Sequence, residues 1–182
     1  AASFAARYPA MTAGIVLVEP MLRDALTGQL RTLHPYLPLL KLAAFLLLTA
    51  NRLGLYRRHL ETIDLRELDR EFRTRLAEPG GGEALVKRYA SPLHDLKIMP
   101  SANFLQDLVE VERPLPLEKI HAPFLALLST GRTFADPNIT RALLSRLPQG
   151  EIQMLDAKHW IPTEQPRAMQ NAIEAWCNNL KS

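Results

Sequence analysis

The sequence predicts an α/β protein in which a parallel sheet is interrupted by an inserted all-helical segment. Three short apolar runs typical of strands occur near the two ends of the chain, at 14–18, 124–129 and 151–155. Helical patterns follow the last two runs, whereas strand-like runs are missing from about 21 to 113. Because strands that alternate with helices are usually joined by right-handed crossovers, these strands are expected to lie parallel in one sheet.

The three apolar runs differ in how deeply they should be buried. The run 14–18 is β-branched and uniformly apolar after its glycine, which fits a strand covered on both faces. The run 124–129 has the same character. Apolar and polar residues alternate in 151–155, which predicts a half-buried strand near a sheet edge.

Helices are predicted from 3.6-residue apolar periodicity and from stop and start signals. Residues 1–8 resemble the end of an amphipathic helix stopped by Pro9, and we expect that the chain is cut within this helix, because it begins without Met. Asn138 is the predicted N-cap of a later helix. The further predicted helices are 39–50, 64–76, 84–90, 101–111, 139–147 and 166–180.

Composition and spacing exclude several classes of function. The net charge is +3, and the sequence has no basic run with interleaved aromatics, so nucleic-acid binding is not expected. Cys177 is the single cysteine, which excludes an intramolecular disulfide and a cysteine-based metal site. The five histidines lack metal-ligand spacing, so no metal is expected. The apolar segment 39–50 is shorter than the ~20 residues that span a bilayer.

The loop around His159 is the strongest candidate for chemistry. The third apolar run ends at Leu155, and a turn then presents His159 before a helix that has Glu164 and Pro166 in its opening residues. A histidine on a loop between rigid elements suits a general base, because imidazole titrates near neutral pH. Such a base requires a nucleophile to activate and an acid to orient it.

Three segments together resemble the C-terminal half of an α/β-hydrolase with a helical cap. Residues 4–20 resemble the helix after the nucleophile and the strand that follows it. Residues 121–131 resemble the penultimate strand with its acid loop, and residues 158–166 resemble the catalytic histidine loop. Lys158 stands where glycine is common in the family. The resemblance implies a G-x-S-x-G elbow, which this sequence does not contain. Ser3, the one early serine, falls on the helix shaft and is not expected to be the nucleophile.

The resemblance implies catalysis by a nucleophile, a histidine and an acid, and it offers two candidates for the acid. His159 matches the catalytic histidine. Asp136 follows the penultimate strand, where most members place the acid, although it arrives a residue or two late. Glu19 follows the earlier strand, where haloalkane-dehalogenase-like members place it. Asp156 precedes the turn and is expected to be structural.

The expected organisation is a hydrolase core at 1–22 and 114–182 with a helical cap at 23–113. The expected function is that of a fragment of an esterase-like or dehalogenase-like hydrolase, inactive alone because it lacks the elbow. Its substrate would be small and hydrophobic, no cofactor is implied, and the expected localisation is cytoplasmic. The alternative is a non-catalytic interaction module built on a partial hydrolase fold. The candidate substrate-binding residues are Phe45, Leu46, Tyr56 and Trp160.

Overall fold

The computed structural model describes residues 1–56, 59–78 and 92–180, which divide into two compact units. The first unit combines Ala1–Arg31 with Pro114–Ser182, and the second is Thr32–Arg113. The predicted helix at 84–90 lies outside the described residues. Within the described ranges, no helix is both long enough and apolar enough to cross a membrane.

The secondary structure alternates strands and helices at both ends of the chain. The strands are β1 (Ile15–Val18), β2 (Phe124–Ser129) and β3 (Gly150–Leu155). The helices are α1 (Ala2–Arg7), α2 (Gly28–Thr32), α3 (Leu37–Arg52), α4 (Leu65–Leu76), α5 (Pro92–Ile98), α6 (Ser101–Val111), α7 (Pro137–Leu144), α8 (Ile161–Glu164) and α9 (Pro166–Leu180). Short 3-10 turns occur at Pro9–Met11, Arg23–Ala25, His34–Tyr36 and Leu117–Lys119.

The sheet of the first unit has three parallel strands in the order β1-β2-β3, which confirms the predicted α/β class. In the register, Val18 lies opposite Leu127, and Ser129 lies opposite Leu155. All six residues of β2 are buried, as expected for a central strand. Since β1 and β2 run in the same direction and so do β2 and β3, all three strands end at the same edge of the sheet.

Helices cover both faces of this sheet. One face packs against α1 and α7 through a core that includes Phe124, Ala126 and Leu128. The other face packs against α9, where Leu125 and Leu127 contact a core that includes Trp176. Because side chains alternate along a strand, β2 supplies apolar residues to both cores at once. This burial fixes the positions at which the strands end.

Residues 23–31, which the sequence predicts to open the helical insert, belong to the first unit. The side chains of Leu22, Ala25 and Leu26 are buried there. Backbone hydrogen bonds join Thr27 N–H to Phe134 O and Asp136 N–H to Ala25 O. These hydrogen bonds tie the segment to the loop after β2.

The second unit is helical in its described parts, and α3 packs against α6. Ala44 and Ala102 are buried, and small residues allow close approach of two helices. His34 Nδ1 lies 3.1 Å from Oε2 of the buried Glu112, which ties the start of this helix pair to its end. Several large apolar side chains of α3 remain exposed: Leu39, Leu42, Phe45 and Leu46.

The prediction that Asn138 is an N-cap is wrong by two residues. Helix α7 begins at Pro137, and the carboxylate of Asp136 accepts hydrogen bonds from the N–H groups of Asn138 (2.9 Å) and Ile139 (3.4 Å). Proline is favoured in the first helical position, because its missing N–H would have no partner there. Asp136 is therefore the N-cap.

Candidate active site

Three functional candidates meet at the edge where the parallel strands end. Glu19 follows β1, Ser129 is the last residue of β2, and His159 lies in the loop after β3. Ligand sites of open α/β sheets lie at the carboxyl ends of strands. The register brings these residues together although Glu19 and His159 are 140 positions apart in the sequence.

The backbone of Glu19 adopts an unusual conformation. Its φ is +48°, whereas non-glycine residues in this region cost about 1–3 kcal/mol. The Glu19 N–H still donates to Leu127 O at 2.9 Å, so the residue leaves the sheet immediately after its last ladder bond. The left-handed conformation therefore occurs at the point where the chain leaves β1.

The carboxylate of Glu19 is held by Ser129 and by the His159 ring. Ser129 donates its backbone N–H to Glu19 Oε1 and its hydroxyl to Glu19 Oε2, the latter at 2.9 Å. The His159 Nδ1 atom lies 3.0 Å from the same Oε2. Because an ionised carboxylate only accepts hydrogen bonds, the proton of the neutral ring is on Nδ1 and Nε2 is left as an acceptor.

The His159 ring is partly shielded from solvent. The side chains of His159 and Glu19 are each 18% exposed, so their interaction is less screened by water than a surface pair. The edge-to-face contact with Phe134 has a centroid distance of 4.7 Å. The Trp160 ring, a predicted substrate contact, lies next to the histidine at 5.6 Å.

The backbone of the histidine loop is bonded on both sides. The Glu164 carboxylate accepts hydrogen bonds from the N–H groups of Lys158, His159 and Trp160 at 2.8, 3.0 and 2.8 Å. The Lys158 carbonyl accepts from the Thr133 hydroxyl at 3.1 Å, and the Ser129 hydroxyl, which donates its one proton to Glu19, lies 3.3 Å from the same carbonyl. Glu19 is the one non-glycine residue with a positive φ in the described ranges, so the backbone at Lys158 does not require a glycine conformation.

The two candidate acids occupy different places. Asp136 caps α7 and lies 3.2 Å from an Arg132 guanidinium nitrogen, whereas the carboxylate within hydrogen-bonding distance of the His159 ring belongs to Glu19. Asp156 accepts a long hydrogen bond of 3.5 Å from the Thr130 hydroxyl, in keeping with a structural role.

The small cavity at this site contains two hydroxyl side chains among its described lining residues, and both are engaged. Ser129 is 1% exposed and donates to Glu19, while Thr140 is 2% exposed and donates to Asp136 O at 3.0 Å. Ser3 is exposed in the first turn of α1. A buried hydroxyl that donates to a carboxylate is not placed to attack a substrate.

The other predicted substrate contacts, Phe45, Leu46 and Tyr56, belong to the second unit and are exposed. Tyr56 lines an open cavity of that unit together with residues of α3 and α6, including Asn51 and Asn103. Phe45 and Leu46 lie on the exposed apolar side of α3. Among the described residues, no group of three or more His, Cys, Asp or Glu side chains is arranged to hold a metal ion.

Ser129 and Glu164 were not recognised from the sequence as parts of the site. Ser129 is a polar residue at the end of a wholly buried strand, and that position was a usable signal. Glu164 follows His159 by five residues, and its place in the sequence predicts only a helix-opening residue. Its hydrogen bonds run backward to the loop, which sequence periodicity does not reveal.

Comparison with solved structures identifies the fold. One similar structure is BpoC of Mycobacterium tuberculosis H37Rv, assigned as a non-heme bromoperoxidase. The match covers 100% of this chain and 63% of the BpoC chain, at 17% sequence identity and a TM-score of 0.56. The match to MenH from S. aureus covers 100% of this chain and 66% of the MenH chain, at 14% sequence identity and a TM-score of 0.52. The match to a thermophilic esterase from Thermogutta terrifontis covers 98% of this chain and 60% of the esterase chain, at 18% sequence identity and a TM-score of 0.51.

These matches confirm that the chain has a partial α/β-hydrolase fold. The chain spans less than two thirds of the length of each of the three proteins. No protein-family model matches the sequence, and no curated protein matches it. At identities of 14–18%, the likeness concerns the fold and carries no substrate across.

Proposed function

We propose that this chain supplies the base and the acid of an α/β-hydrolase active site, with His159 as the general base and Glu19 as the acid that orients it. The observation that carries the proposal is the hydrogen bond of 3.0 Å between His159 Nδ1 and Glu19 Oε2 at the carboxyl edge of the sheet. Asp136 is the less favoured acid, because its carboxylate caps α7.

The proposed reaction is hydrolysis of an ester-like, small hydrophobic substrate. A nucleophilic hydroxyl attacks the substrate carbonyl while His159 Nε2 accepts its proton, and Glu19 stabilises the imidazolium. The proton then passes to the departing alcohol. Water attacks the acyl intermediate, again losing a proton to His159, and the carboxylic acid leaves as the hydroxyl is restored.

The nucleophile of this proposal is supplied by residues outside this 182-residue chain. Two facts support this. The hydroxyls that line the cavity among the described residues are buried and hydrogen-bonded, and the chain spans only 60–66% of the matched hydrolase-fold proteins. The isolated chain is expected to have no turnover. Trp160, Phe45, Leu46 and Tyr56 remain the proposed substrate contacts, and cytoplasmic localisation remains a prediction.

The test compares two proteins, the 182-residue chain and the longest product that its gene encodes, with short-chain p-nitrophenyl esters as substrates. We expect turnover by the longer product alone. His159→Ala should lower its kcat/KM by about 10³-fold or more, and Glu19→Gln by a comparable factor, because glutamine favours the wrong tautomer of the ring.

Three results would refute the proposal. One is hydrolysis by the longer product that His159→Ala leaves unchanged. Another is His159-dependent hydrolysis by the 182-residue chain, since the nucleophile would then lie within it. The third is absence of turnover from both proteins, which would favour the alternative of a non-catalytic interaction module.

A further inference from the structure

We propose that Glu164 is a positioning residue, which holds the backbone of the histidine loop so that the His159 ring stays bonded to Glu19. The inference gains its catalytic meaning from the function proposed above, but its geometry stands independently. Glu164 is half-buried at the end of α8, five residues after the histidine.

The first line of evidence is the convergence of three consecutive backbone N–H groups on one carboxylate. Oε2 accepts from Lys158, and Oε1 accepts from both His159 and Trp160, all at 2.8–3.0 Å. Successive N–H groups that point into one concavity make an anion site, and hydrogen bonds to a charged acceptor are stronger than neutral ones. Here the anion is a side chain of the same loop.

The second line is that the bonding is reciprocal. The Glu164 N–H donates to Trp160 O at 2.8 Å, while the Trp160 N–H donates to the Glu164 carboxylate. Ile161, the first residue of α8, is fully buried and anchors the short helix to the core. The carboxylate is therefore attached to the rigid part of the unit, and the loop backbone is attached to the carboxylate.

The third line is the support from the opposite side of the loop. The Lys158 carbonyl accepts a hydrogen bond from Thr133 and lies 3.3 Å from the Ser129 hydroxyl, and Gly131 approaches it so closely that a Cβ there would lie 2.7 Å from the carbonyl carbon. The peptide that precedes His159 is thus bonded through its carbonyl on one side and through its N–H on the other. Two fixed peptide groups leave the histidine Cα little freedom to move.

Glu164 does not compete for the ring itself. Both of its oxygens are occupied by backbone donors, and the ring Nδ1 is bonded to Glu19. Its effect on chemistry would therefore pass through the position of His159. This makes it a positioning residue, distinct from the proposed acid.

The experiment uses Glu164→Gln in the 182-residue chain, with Glu174→Gln as the matched control. Glu174 lies on the same unit, is exposed on α9 and accepts a side-chain hydrogen bond from Gln170 at 2.8 Å. Two NMR readouts are needed: hydrogen exchange of the amides of residues 158–160, and the ¹⁵N shifts of the His159 ring at a pH where imidazole is neutral.

We expect Glu164→Gln to speed amide exchange at 158–160 by at least about tenfold, because a neutral amide replaces a charged acceptor. The ring should lose part of its Nδ1–H tautomer. Glu164→Asp keeps the charge but shortens the reach, so its effects should be smaller. If Glu164→Gln does not fold, the same two readouts on Glu164→Asp decide the question.

The proposal fails if Glu164→Gln leaves the ring tautomer as it is in Glu174→Gln. It also fails if protection is lost evenly across the sheet and the loop, because that indicates a general loss of stability. In the longer gene product, kcat should fall more than KM rises. A disturbed ring with unchanged turnover would support the positioning role and refute the catalytic role of His159.

Discussion

Replacing Gly131 with alanine tests the tight contact between the loop after β2 and the histidine loop. An alanine Cβ at this position would lie 2.7 Å from both the Cα and the carbonyl carbon of Lys158. These are backbone atoms, so no flexible side chain can move aside. The Gly131 N–H also donates to Ala157 O at 3.1 Å, so any shift disturbs a second loop contact.

The expected cost follows from these contacts. Overpacking costs about 1–3 kcal/mol. Displacement of Lys158 also weakens the hydrogen bond that its carbonyl accepts from Thr133, worth about 1 kcal/mol, and lengthens its contact with the Ser129 hydroxyl. Alanine also lowers the conformational entropy of the unfolded chain, which offsets about 0.4–1 kcal/mol of this loss of stability. A net loss of about 1–4 kcal/mol corresponds, in a unit of about 100 residues, to a fall in Tm of roughly 5 °C or more.

The assay is thermal unfolding followed by tryptophan fluorescence. Both tryptophans of the chain, Trp160 and Trp176, belong to the first unit, so the signal reports that unit. Ser145→Ala, at an exposed position after α7, is the control and should change stability by less than about 0.5 kcal/mol. If the Gly131→Ala variant has the same Tm as the Ser145→Ala variant, the close approach of Gly131 to Lys158 is wrong.

Two further predictions address the candidate acid and the core. Asp136→Ala should cost about 0.5–2 kcal/mol through loss of the α7 N-cap but leave the His159 ring tautomer unchanged in ¹⁵N NMR; a tautomer change like that of Glu19→Gln would return Asp136 to the role of acid. Leu127→Ala, at a fully buried position of β2, should lower the free energy of unfolding by about 2–5 kcal/mol, measured by denaturant unfolding followed by tryptophan fluorescence. The control Leu53→Ala, at an exposed position of the second unit, should change the free energy of unfolding by less than about 0.5 kcal/mol. Equal effects of the two substitutions would contradict the core assignment.

Sequence patterns were sufficient for the elements of the sheet because burial there is periodic and local. The run 124–129 is apolar throughout, and β2 is buried throughout. The alternating run 151–155 predicts a half-buried edge strand, and β3 lies beside β2 with Leu155 as its one buried residue. The helix at 101–111 begins and ends where its apolar period indicates.

Patterns were weaker where a polar residue can serve more than one purpose. Asn138 and Asp136 are both good caps, and the choice depended on where Pro137 could start the helix. Residues 23–31 are expected to open the helical insert, but they belong to the first unit, where the side chains of Ala25 and Leu26 are buried. Neither choice is visible as a period.

The sequence alone determined that this chain has parallel α/β ends, a helical segment between them and a histidine on the loop after the last strand. Hydrophobic spacing and turn residues are local features, so they can be recognised in the sequence before the fold is known. Only the tertiary structure decided which carboxylate meets His159. Glu19 and Asp136 both follow strands, and the strand register together with the cap of α7 places Glu19 beside the ring. That choice depends on side-chain directions at a sheet edge, which sequence distance does not encode.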